Sequence, residues 1–191
     1  MKVADFIFLA ALAVIILPFV ISPALYQLYH ELTLEHGIVM SFFKFAVLAS
    51  FGDLIGQRLR KGIYLPENFG LIPRAIVWGF IGISIKIAFT IFASGTPVIL
   101  EYMGVHNASE AIGSNAFSLA KLLTAFSISV ALNVMYAPVM MTFHKITDTH
   151  ILQNGGTLRG FFRPLQVKSI ITSMDWNVQW NFVFKRTIPL F

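Results

Sequence analysis

Long apolar runs dominate this chain, and polar residues enter them at helical rather than alternating spacing. Crossing the hydrocarbon core of a bilayer takes roughly 20 apolar residues in a helix. Four stretches fit that length: residues 6–28, 37–57, 76–93 and 117–142. Pro18 and Pro23 lie in the first and are expected to kink it or end it early. A cleaved signal peptide is the rival reading there. Asp5, the lack of a small-x-small cleavage site and Pro18 favour a retained anchor.

The second run carries a stripe. On a helix, Ala46, Ala49, Asp53, Gly56, Gln57 and Arg60 fall on one face, which lipid would not tolerate and which must meet protein or water. In the third run Gly79, Gly82, Lys86, Thr90 and Ala93 share a face. Gly52, Gly56, Gly79 and Gly82 are read as helix-packing positions, since small residues let membrane helices approach closely. In the fourth, Ser129, Asn133 and Tyr136 recur at i, i+4 and i+7, and Pro138 should bend the far end.

The connections are predicted from their breakers. Gly95, Pro97, Gly104, Asn107 and Gly113 predict irregular structure over 94–115, with a short re-entrant or surface piece at 98–103. Asn154-Gly155-Gly156 predicts a turn. Over 165–184, Trp176, Trp180 and Phe184 recur at i, i+4 and i+8 with Asp175, Asn177, Gln179 and Asn181 between them. That mixture suits the lipid headgroup zone, so the segment is read as interfacial or as an additional helix. The expected fold is an all-α integral membrane protein: one domain over 1–191, a bundle of four transmembrane helices plus this C-terminal piece.

Composition agrees and narrows the function. The chain is 57% hydrophobic and 12% charged, against about 25% charged in soluble domains. With no cysteine there is no disulfide framework and no thiolate chemistry. The net charge of +5 is spread over loops and helices, so the expected partner is the lipid bilayer and not nucleic acid. Basic groups come in blocks: Lys2; Arg58, Arg60, Lys61 and Arg74; Lys145, Arg159, Arg163 and Lys168. The intervening connections hold only acids, Glu31 and Glu35 in one and Glu101 and Glu110 in the other. The positive-inside tendency puts the N-terminus and the basic blocks in the cytoplasm. No Arg/Ser-rich transit segment precedes the first run, which favours a bacterial cytoplasmic membrane over a mitochondrial inner or peroxisomal one.

Few residues inside the runs carry chemistry. Lys44, Lys86 and Lys121 each interrupt one, and an ammonium at mid-bilayer costs roughly 2.5 to 3.5 kcal/mol on an insertion scale. Lys121 lies near enough to a boundary to snorkel. Lys44 and Lys86 lie deeper and are expected in a water-lined interior. Asp53, the sole acid in the proposed spans, should pair with one of these lysines or with Arg60. His144, Asp148 and His150 are candidate metal ligands by type, but only His144 and Asp148 share a helix face, so no metal or cofactor is expected. The chain has no Gly-rich phosphate loop, G-x-S-x-G elbow or H-E-x-x-H motif, and is not expected to be an enzyme.

Lys44, Gly52-Asp53 with Gln57, then Arg74 leading into Gly79-Phe80-Ile81-Gly82, resemble the signature of the Mpv-seventeen and PMP-twenty-two family of small multi-pass membrane proteins. Lys121 looks like the lysine that opens that family's third helix. The likeness covers about residues 41–138; Ile83 stands where the family has proline, and the C-terminal signature has a loose echo in Trp176, Gln179, Asn181 and Phe182. The resemblance implies a helical bundle acting as a weakly selective channel or in metabolite homeostasis, with a C-terminal end that either has diverged from the family or has its last family helix beyond Phe191.

The function expected is therefore a weakly selective pore or transporter for small anionic metabolites, with a homo-oligomer allowed. Its lining would draw on Lys44, Asp53, Gln57, Lys86, Thr90, Lys121 and Asn133. Two alternatives stand beside it: a non-conducting helix-packing scaffold, and an intramembrane lipid-modifying enzyme using Asp53 and the histidines.

Overall fold

The computed structural model describes residues 2–181, and among them there is no strand. The long helices are α1 (Val3–Ile21), α2 (Pro23–Glu35), α3 (Gly37–Lys61) and α4 (Leu71–Tyr102). A short α5 (Ala108–Gly113) leads to α6 (Leu119–Ala131), which runs through a π turn (Leu132–Tyr136) into α7 (Ala137–Gln153). Three small helices follow: α8 (Leu158–Phe161), α9 (Val167–Ser173) and α10 (Trp176–Trp180). Among the described residues four helical stretches are long and apolar enough to cross a bilayer: Val3–Ile21, Gly37–Lys61, Leu71–Tyr102 and Leu119–Gln153. This is the make-up of a multi-pass, all-α membrane protein.

The first span ends earlier than residue 28. Pro23 has no N–H to give a carbonyl one turn back, so the helix stops at Ile21 and Pro23 opens α2. Ser22 caps the new start, its Oγ accepting from the Leu25 N–H at 3.3 Å. The irregular segment expected over 94–115 is also corrected. Helix α4 continues through Gly95 and Pro97 to Tyr102, so the piece at 98–103 is its last turn rather than a re-entrant loop. In an apolar setting an unwound backbone would leave polar groups unsatisfied, and glycine and proline break helices less readily there. Ser94 Oγ bridges back to the carbonyl of Thr90 (2.8 Å).

The fourth span is longer than 117–142 and runs to Gln153. The bend expected at Pro138 is met by the π turn just before it, where the Ala137 N–H reaches the Leu132 carbonyl, five residues back. At the C-terminal side, α9 and α10 have seven and five residues among those described, each shorter than a span. The expected amphipathic segment over 165–184 is thus two short helices as far as Asn181; Phe182 and Phe184 lie outside the described residues.

Close packing of α3 on α4 forms the centre. A methyl added at Gly79 would stand 2.4 Å from the Phe42 ring, and one at Gly82 would stand 2.6 Å from the Ser41 carbonyl oxygen. A small core of Val77, Ile81 and Ile151 then joins α4 to α7. At one end the loops interlock: Gly70 (φ +69°) and Gly156 (φ +66°) are left-handed, and a side chain on Gly70 would meet Gly156 Cα at 2.9 Å. No residue of α1 or α2 is buried, so both present most of their surface outward.

Candidate functional site

Two charged clusters close the same end of the bundle. In the first, Arg58 near the end of α3 grips Asp5 of α1 with both arms of its fork, Nε at 2.7 Å and Nη2 at 2.9 Å. The Tyr64 hydroxyl donates to the same carboxylate at 3.0 Å. Burial, helped by that bond to Asp5, holds the Tyr64 phenol above its usual range.

The second cluster is the candidate site, built from three helices. Arg74, in the first turn of α4, is 4% exposed. Its Nε donates to the Phe69 carbonyl at 2.6 Å, and its guanidinium lies 4.3 Å over the Phe69 ring. Its Nη1 pairs with Asp148 of α7 and stands 3.7 Å from Asp53 of α3. One turn along α4, the Trp78 indole donates to Asp53 Oδ2 at 2.8 Å while its ring lies 4.3 Å from that of His144. Two carboxylates therefore share one buried guanidinium, and an aromatic bracket holds the arrangement. Ser50 Oγ, Gln57 Oε1 and His144 Nδ1 are buried with no hydrogen-bond partner among the described residues.

Asp53 is thus paired with Arg74, not with a lysine or Arg60 as expected; Arg60 is exposed. The buried line of α3 runs through Ser50, Leu54 and Gln57, so the inward face is turned toward Ser50 from the stripe that the small residues mark. Gly52 and Gly56 are corrected with it. A methyl at Gly52 would meet nothing within 4 Å, and one at Gly56 would meet only Arg60 of its own helix. Gly79 and Gly82 do make the helix contact.

The remaining lining candidates are not brought together. Lys44 donates to Thr33 Oγ1 at 3.0 Å and sits 4.6 Å over the Tyr29 ring, which ties it to α2. Lys86 and Thr90 are exposed on the outer side of α4. They border an open groove of about 470 Å³ with Thr33, Gly37 and Ile38. Lys121 reaches the Ser114 carbonyl and fastens the loop before α6. Asn133 donates to the Ser129 carbonyl at 2.9 Å within its own helix. His150 turns away from His144 and Asp148: Nε2 lies 3.1 Å from the Phe161 carbonyl and Nδ1 lies 3.3 Å from the Asn154 amide. Among the described residues no group of three or more His, Asp and Glu side chains is placed to hold a metal ion.

The residues that sequence reasoning missed are Trp78 and Asp148 as partners of Asp53 and Arg74. A signal existed, because Arg74/Trp78 and His144/Asp148 are both i, i+4 pairs on single helix faces. Of the residues that carry the family resemblance, Asp53 and Arg74 meet in this cluster, and Gly79 and Gly82 seat α4 on α3. No protein-family model, no curated protein and no solved structure matches the chain.

Proposed function

We propose that the protein is a non-conducting helical scaffold of a lipid membrane, a bundle that offers its outer faces to lipid or to other copies of itself. The observation that carries this reading is the scattering of the groups that would line a pore. Lys44 is tied to α2, Asp53 to Arg74 and Trp78, and Lys121 to a loop, while Lys86 faces outward. Between them Phe42 and Phe45 press on Gly79 and Gly82. The test is efflux of graded neutral and anionic solutes from liposomes holding the purified protein, beside protein-free liposomes. The expected result is no release above the protein-free control, with helical circular dichroism intact. Anion-biased release would overturn it.

A second reading has an observation of its own. Lys86 and Thr90, exposed midway along α4, would come to line an anion path if several copies met on that face. That reading also agrees with the channel activity implied by the family resemblance. It requires that Lys44→Met and Lys86→Met change the anion/cation permeability ratio of the liposomes.

A further inference from the structure

We infer that the groove between the α2–α3 bend and the middle of α4 holds one anionic phospholipid, with its phosphate on the Lys86 ammonium. This rests on the scaffold reading and names what one outer face gathers. Lys86 is exposed halfway along the 32-residue α4, and among the described residues its ammonium has no hydrogen bond or ion pair. Its stem lies beside α3, where a methyl on Gly37 would touch Lys86 Cε at 3.6 Å. A bare cation on an apolar outer surface calls for an anion that can itself live in a membrane.

The walls fit the rest of such a molecule. Leu34, Ile38, Ile87 and Ile91 are exposed apolar groups of the groove and offer a track for an acyl chain. At about 470 Å³ the groove is of ligand-pocket size, within the roughly 300 to 1,000 Å³ usual for such sites. No acid lines it; Glu31 and Glu35 of α2 are exposed and lie outside its walls. A second cation adds to the field. Lys44 reaches Thr33, one of the groove walls, from the other side, with Nζ 3.0 Å from Oγ1. Helix α2, which gives Thr33 and Leu34 to the groove, has headgroup character over its preceding turns, with Tyr26 and Tyr29 among Gln27, His30 and Glu31, as suits a segment close to lipid phosphates. Charge and apolar walls together favour a phospholipid over a soluble anion, which would leave those walls uncovered.

The test is lipid retention. The full chain, reconstituted in vesicles of equal phosphatidylglycerol and phosphatidylcholine, is extracted in mild detergent, and retained lipid is counted by native mass spectrometry. Wild type should keep one phosphatidylglycerol per chain in preference to phosphatidylcholine. Lys86→Met should lower that preference about fivefold, the worth of one lysine facing an anionic leaflet. Lys86→Arg should preserve it, and Ile87→Trp, which fills the groove without touching the charge, should lose the lipid. Equal preference in wild type and Lys86→Met, or no retained lipid in either, would overturn the inference. Neither result bears on efflux, so failure here leaves the scaffold reading to its own test.

Discussion

Arg74 is the residue on which most depends. It is 4% exposed and faces Asp53 and Asp148 from two other helices. Removing one partner of a buried charge pair costs about 3 to 5 kcal/mol, because the other is left uncompensated. Arg74→Ala strands two carboxylates and should fall at the upper end, read as a lowered unfolding midpoint in detergent. Asp53→Asn should cost less, since Asp148 still balances the guanidinium. Trp78→Phe keeps the ring on His144 but removes the donor to Asp53. It should cost about 1.5 to 3 kcal/mol, the range for a hydrogen bond to a charged group. The sequence placed Asp53 off the lipid face but named the wrong partner. Helical spacing relates residues along one helix and says nothing of which residue on the next stands opposite.

At the scale of the elements, glycines divide by what faces them. Gly82→Ala pushes a methyl into the Ser41 backbone carbonyl, which can yield only if α3 and α4 separate. Gly79→Ala meets the edge of the Phe42 ring, which can turn aside at some cost. Gly52→Ala and Gly56→Ala meet no other helix. They should be neutral or stabilise by about 0.5 to 1 kcal/mol, the helix-interior advantage of alanine. Unfolding midpoints of the four variants should therefore rank Gly82→Ala lowest, then Gly79→Ala, with the other two at or above wild type. A small-residue pattern marks all four alike, because only the neighbouring helix decides which of them matters. Helix ends were legible where a breaker acts on its own helix, as Pro23 does. They were illegible at Gly95 and Pro97, where a soluble-protein rule meets a backbone with no water to turn to.

On the scale of the whole molecule, the alternation of charge along the chain foretold the arrangement. The Asp5–Arg58 pair sets the start of α1 beside the end of α3, and the Arg74–Asp148 pair sets the start of α4 beside the end of α7. Lys61 and Asn154 therefore belong to one end and Asn107 to the other. Because the chain has no cysteine, single cysteines at these three positions can be labelled in intact and permeabilised cells. Lys61→Cys and Asn154→Cys should share one accessibility and Asn107→Cys the opposite one, with the first two cytoplasmic by the positive-inside tendency. Legibility at this scale came from loops, whose charges answer to the membrane and not to a particular neighbour.

The division of the Arg74 cluster among helices has a consequence for biosynthesis. The chain is made from its N-terminus, so α1 to α4 reach the membrane before α6 and α7 exist. That first half carries its own neutralisation at this end, Asp5 with Arg58 and Asp53 with Arg74, and can wait in the bilayer with both of those pairs already made. The second half brings Asp148, whose ion pair is with Arg74. A newborn first half is thus self-sufficient, while the second depends on finding it, and a chain split within residues 103–107 should lose its C-terminal piece to proteolysis unless the N-terminal piece is made alongside.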